Sequence, residues 1–151
     1  MKNLPRHIAA LATTAWVGGL WIIGYLAVPI LFHAQPDRQL AGMLAGQMFV
    51  VLGYLGIVCG TYLLAWRFAL SGRTAMREGL FLVVAAMLLL TLLSQFGIQP
   101  LMAELKAQAL PLEVSQSAYA DQFRMWHGIS SIAYLLQSLL GAFLVIRTAG
   151  K

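Results

Sequence analysis

Four long apolar runs, separated by short stretches that hold nearly all of the charge, leave this 151-residue chain few ways to fold. The runs cover about residues 8–32, 42–68, 79–101 and 125–146, and each meets the roughly 20 residues that a helix needs to cross a hydrocarbon core. Inside hydrocarbon no water satisfies backbone N–H and C=O groups, so the runs must close their hydrogen bonds internally as helices. Only 10% of the chain is charged and its mean hydropathy is +0.79, whereas soluble domains carry about 25% charged residues. The expected fold is all-α: a polytopic membrane protein in which residues 1–151 form one up-down bundle of four transmembrane helices.

The first run carries Gly18, Gly19 and Gly24, which let a neighbouring helix come close, and Pro29, which predicts a kink near its exit. Trp16 and Trp21 lie too deep for an interfacial belt, so both indoles are expected to find partners inside the bundle. Pro36-Asp37 marks a short turn, making runs one and two antiparallel neighbours. In the second run Gly42, Gly46, Phe49, Gly53, Gly56 and Gly60 recur at steps of four and three along one helix face. Membrane helices associate through close backbone approach, so this seam predicts a central, tightly packed helix. It could equally serve a partner chain.

In the third run Thr91, Gln95 and Gln99 share a face, and Pro100 predicts a kink or an end. In the fourth, His127, Ser131, Tyr134, Ser138 and Gly141 form a small, polar face opposite Ile132, Leu135, Leu136, Leu139, Leu140 and Phe143. Lipid penalises imidazole, amide and hydroxyl groups, which should therefore turn inward. Counting from the run ends puts His33, Met43, Gln47, Gln95, Gln99, Met102 and His127 at one depth, near the membrane face opposite the termini. Together with Tyr25, Ser130, Ser131 and Tyr134 they are expected to line a polar pocket. Imidazole and thioether donors suit a soft ion such as copper(I), which makes His127, His33, Met43 and Met102 the candidate metal ligands. Each also has a structural explanation, since interfacial histidines bond neighbours, methionines pack and glutamines join helices.

Other chemistries find less support. HExxH, Walker A, GxGxxG and GxSxG patterns are missing, and no acidic residue lies in the middle of a run, so a carrier driven through a buried carboxylate is not indicated. Ser130 or Ser131 could pair with His127 at helical spacing, but no carboxylate stands ready to orient the imidazole, which argues against a nucleophilic enzyme. Cys59 is the only cysteine and sits in an apolar run, where it packs. The net charge of +5 comes from residues at run ends, where they set orientation and meet anionic lipid, so no nucleic-acid partner is expected. Lys2 and Arg6 precede a run too long for a signal-peptide core, which predicts a retained anchor.

Trp16-Val17-Gly18-Gly19, Pro29-x-x-Phe32, Phe49, Pro100 and Phe123-x-x-x-His127-Gly128-x-Ser130-Ser131 carry a family resemblance. The chain resembles the small four-span membrane proteins grouped as domain of unknown function 4149, which are similar to eukaryotic transmembrane protein 205. That resemblance implies the four-helix fold and a bacterial inner-membrane location. The association of the eukaryotic relative with platinum-drug resistance, and a likeness to the copper-resistance D membrane domain, imply soft-metal handling. A more distant likeness to the four-span bacterial protoporphyrinogen oxidase implies haem, with His127 as an axial ligand.

Three readings follow: handling or transport of a soft metal ion through the His/Met/Gln pocket, a non-catalytic accessory subunit of a membrane complex or homo-oligomer, and a haem-binding oxidoreductase. Orientation comes from basic residues. Lys2, Arg6, Arg67, Arg73, Arg77, Arg147 and Lys151 fall on the side of the termini, against Arg38, Lys106 and Arg124 on the other, which predicts cytoplasmic termini. A reporter fused after Lys151 should be active only in its cytoplasm-dependent form; periplasmic activity would reverse the assignment.

Overall fold

The computed structural model describes residues 3–149, so Lys2 and Lys151 lie outside the described residues. Four helices are long and apolar enough to cross a membrane: α1 (Leu4–Ala34), α2 (Arg38–Ser71), α3 (Gly79–Ala109) and α4 (Ala120–Ala149). A 3-10 turn at Gly72–Arg77 joins α2 to α3. The bundle has two ends, one holding the chain ends and the Gly72–Arg77 turn, the other holding the two remaining connections.

Local chemistry fixes the helix boundaries. Pro5 occupies the first turn of α1, where its missing N–H costs nothing. Asp37 caps α2, its carboxylate accepting from the Gln39 and Leu40 N–H groups at 2.9 and 3.0 Å. Arg67 and Glu78 pair at 2.7 Å across the turn between α2 and α3, and the Tyr62 hydroxyl donates to the Pro5 carbonyl at 3.0 Å.

Pro100 does not end its helix. Each membrane proline follows a π-turn, Ile23–Ala27 before Pro29 and Ser94–Ile98 before Pro100, and the helix continues beyond it. The Val28 N–H bonds the Ile23 carbonyl, and the Gln99 N–H bonds the Ser94 carbonyl. Widening one turn makes room for a ring that would otherwise strike the carbonyl of the preceding turn, and it keeps most backbone groups bonded. As a result α3 runs two turns further than its apolar composition indicates and carries Lys106 along the bundle.

Around the bundle α1 packs on α2 and α4, and α3 packs on the same two helices. The two helix pairs correspond to each other. Pro29 and Pro100 both follow π-turns, Trp16 lies against Gly56 as Met87 lies near Gly141, and Phe49 of α2 meets Tyr134 of α4 edge to face at 5.4 Å. The rings of Phe49 and Tyr134 thus touch across the centre.

The glycine seam is spent inside this bundle. Gly56 and Gly60 receive the fully buried Trp16, and a Cβ on Gly60 would come within 2.9 Å of its ring. Gly53 receives Gln95, while Gly42 and Gly46 face the Lys106 ammonium. Trp21 departs from expectation: it is 41% exposed and faces outward. Five residues from Trp16, it falls on a different helix face. Ile132, Leu135, Leu136, Leu139 and Phe143 are exposed, as a lipid-facing side requires.

Because Trp16 fills the space that a larger residue would need, Gly56→Leu should destabilise the bundle by about 1–3 kcal/mol. Gly18→Leu should change little, since a Cβ there meets nothing within 4 Å. Reversible unfolding in mixed micelles checks both; equal losses would contradict this packing.

Candidate functional site

The middle of the bundle alternates packed and polar layers. Trp16, Val17 and Met87, all nearly inaccessible, form an apolar layer together with Leu20 and Leu144. Adjoining it, the Gln137 amide donates to the Thr91 hydroxyl at 2.6 Å, and that hydroxyl donates to the Met87 carbonyl at 2.9 Å. This chain of bonds ties α4 to α3. Interhelical bonds of this kind contribute about 0.6 kcal/mol each in membrane proteins, so they orient the helices more than they hold them together.

Beside this chain stand one fully buried hydroxyl without a partner and one largely buried amide that makes no side-chain hydrogen bond to a described residue. Ser138, next to Gln137, is 5% exposed and its hydroxyl has no partner among the described residues. Gln95, one turn along α3 from Thr91, is 6% exposed and makes no side-chain hydrogen bond to any described residue. Its amide oxygen presses on Gly53, where the lack of a Cβ makes the room. For a fully buried group such as the Ser138 hydroxyl, remaining unsatisfied costs about 1–3 kcal/mol. Gln95 also stands within the Ser94–Ile98 π-turn, a distortion that concentrates at functional sites.

Tyr134 closes the layer on the side of α1. Its hydroxyl donates to the Leu20 carbonyl, and its ring lies over Gly24, where any side chain would collide with it. Tyr25 meets the same ring edge on at 6.0 Å. The two π-turns therefore flank one polar layer, with Tyr134 at the first and Gln95 within the second.

A second assembly forms at the end away from the termini. The Lys106 ammonium donates to the Gly42 carbonyl at 2.9 Å and lies 5.7 Å from the centre of the Phe123 ring. Phe123 in turn stacks on His127, with centroids 5.8 Å apart and planes 13° from parallel. Lys106 is half-buried, and among the described residues no carboxylate lies within ion-pair distance of it.

Of the residues expected to line one pocket, Gln95 and Met102 are buried and Gln99, Ser130 and Tyr134 half-buried. His33, Met43, Gln47, His127, Ser131 and Tyr25 are exposed. The Ser131 hydroxyl donates to the His127 carbonyl at 2.8 Å, a bond within its own helix. Apart from Tyr25 these exposed groups lie toward helix ends, where headgroups and water solvate them and the hydrocarbon penalty acts weakly. Among the described residues no group of three or more His, Cys, Asp or Glu side chains comes together as a metal site.

Gln137 and Lys106 escaped the sequence reading. An amide centred in an apolar run is itself a signal of an interhelical contact, and it was available for Gln137. Lys106 reads as loop charge as long as Pro100 is taken for the end of its helix; the π-turn is what brings it to Gly42.

No curated protein and no solved structure matches the chain. Nothing among the matches supports the likeness to the copper-resistance D domain. The model of a family described as a domain of unknown function (DUF4149) matches residues 11–111, which include both π-turns, the glycine seam, Gln95 and Lys106, and the chain belongs to that family.

Proposed function

We propose that this protein binds or passes a small polar solute, neutral or negatively charged, at the layer formed by Gln95, Thr91, Gln137 and Ser138. The orphaned Ser138 hydroxyl carries the reading, and the largely buried Gln95 amide, which makes no side-chain hydrogen bond to a described residue, supports it. Polar groups at this depth are costly, and a solute bearing both a donor and an acceptor would satisfy them. Charge preference follows from Lys106, a half-buried cation with no described carboxylate within ion-pair distance, at the end through which such a solute would arrive. In the orientation that the basic residues predict, that end faces away from the cytoplasm.

The same cation weighs against soft-metal handling at His127, His33, Met43 and Met102, because a positive charge 5.7 Å from the centre of the Phe123 ring on which His127 stacks disfavours another cation there. Donor chemistry alone supports that alternative. Metal content that survives purification and is lost in His127→Ala would revive it. Haem ligation has less in its favour, since the exposed His127 ring is stacked on Phe123. An accessory role loses its main motive, because the glycine seam receives side chains of its own chain.

Labelling tests the proposal. In a Cys59→Ser background, Ser138→Cys should react with small methanethiosulfonates added from the face opposite the termini, the anionic sulfonatoethyl reagent faster than the trimethylammonium reagent. Lys106→Gln should remove that preference. A folded Ser138→Cys protein that reacts with neither reagent would refute the site.

A further inference from the structure

A separate cavity of about 470 Å³ opens at the end of the bundle that holds the termini, within the size range of small-molecule pockets, about 300–1,000 Å³. All four helices contribute to it. Its depth is apolar, with Leu63, Val84 and Leu144 as walls, while Arg6, Arg67, Trp66 and Leu80 stand nearer the helix ends.

The polar groups of the cavity are arranged asymmetrically. Thr13 and Thr148 line it, but their hydroxyl protons already go to the Ala9 and Leu144 carbonyls, at 2.9 and 2.8 Å. Donors for a ligand come from the Thr14 hydroxyl on the wall and, at the rim, from the N–H groups that Arg67 has left beside its pair with Glu78 and the Trp66 indole N–H, neither Thr14 nor Trp66 making a side-chain hydrogen bond to a described residue, while Arg6 adds its positive charge to the rim. A ligand that fits must carry an anionic, acceptor-rich head and an apolar tail. The rim sits where the apolar run of α2 gives way to Arg67, Arg73 and Arg77, the depth of lipid headgroups.

We propose that this cavity binds one anionic phospholipid of the surrounding membrane, its phosphate among Arg6, Arg67 and Trp66 and one acyl chain between α1, α3 and α4. This site is independent of the polar layer around Gln95, from which the Trp16–Met87 layer separates it.

Native mass spectrometry of the full chain, delipidated in a neutral maltoside detergent, tests the site against added phosphatidylglycerol, phosphatidylcholine or oleate. One phosphatidylglycerol should be retained in preference to phosphatidylcholine. Arg67→Gln should lower its occupancy about tenfold, the loss of one charge-assisted phosphate contact, and Arg6→Gln gives a second rim variant should loss of the Glu78 pair upset folding. Thr14→Trp, which fills the cavity, should abolish retention, whereas Leu11→Trp, on the same helix but outside the cavity, should not. Equal retention of the two phospholipids, equal effects of the two tryptophans, or oleate bound in place of phosphatidylglycerol would overturn the proposal.

Discussion

The approach of α1 to α2, set by Trp16 lying on Gly56 and Gly60, governs what the rest of the bundle can do. In a bilayer the chains around a helix are as apolar as its own side chains, so helices gain by fit and not by escape from water. Trp16 is wholly buried and fills the groove that two glycines leave. Across the bundle Met87 and Val17 approach Gly141 in the corresponding way. These contacts form a tight apolar layer, and against it the polar layer and the apolar cavity can sit on opposite sides without merging.

Tight packing also explains how polar groups survive at depth. Thr91 and Gln137 bond each other, but the Gln95 amide and the Ser138 hydroxyl make no side-chain hydrogen bond to a described residue, and a bundle selected only for stability would hold leucine or alanine at both. The π-turn that carries Gln95 exists because Pro100 follows it, and the same turn extends α3 so that Lys106 reaches the Gly42 carbonyl. One backbone adjustment therefore positions both the buried amide and the half-buried cation. The paired turn before Pro29 performs the equivalent task for Tyr134, which lies over Gly24.

Much of this was legible in the residues. Run length and the hydrocarbon penalty on open backbone decided the fold class, and small residues at helical spacing singled out the Gly42–Gly60 face. Gln95 could be placed inward by the same penalty. Positions near helix ends could not be assigned this way, because water and headgroups compete there, and His33, Met43 and Gln47 are exposed. Nor does hydropathy record whether a proline stops a helix or is absorbed by a wider turn, so the helical position of Lys106 beyond Pro100 is not visible in the apolar pattern. Trp21 shows a third limit: depth along a helix says nothing about which face a residue takes.

The central claim is that Gln95 and Ser138 face a shared interior and are held there without protein partners. An experimental structure in a lipid nanodisc, at a resolution that reveals ordered small molecules, tests it most directly. It should show non-protein density within hydrogen-bonding distance of both the Gln95 amide and the Ser138 hydroxyl. A Gln95 side chain turned toward lipid, or a Ser138 hydroxyl bonded to the Tyr134 carbonyl with only protein around it, would contradict the account.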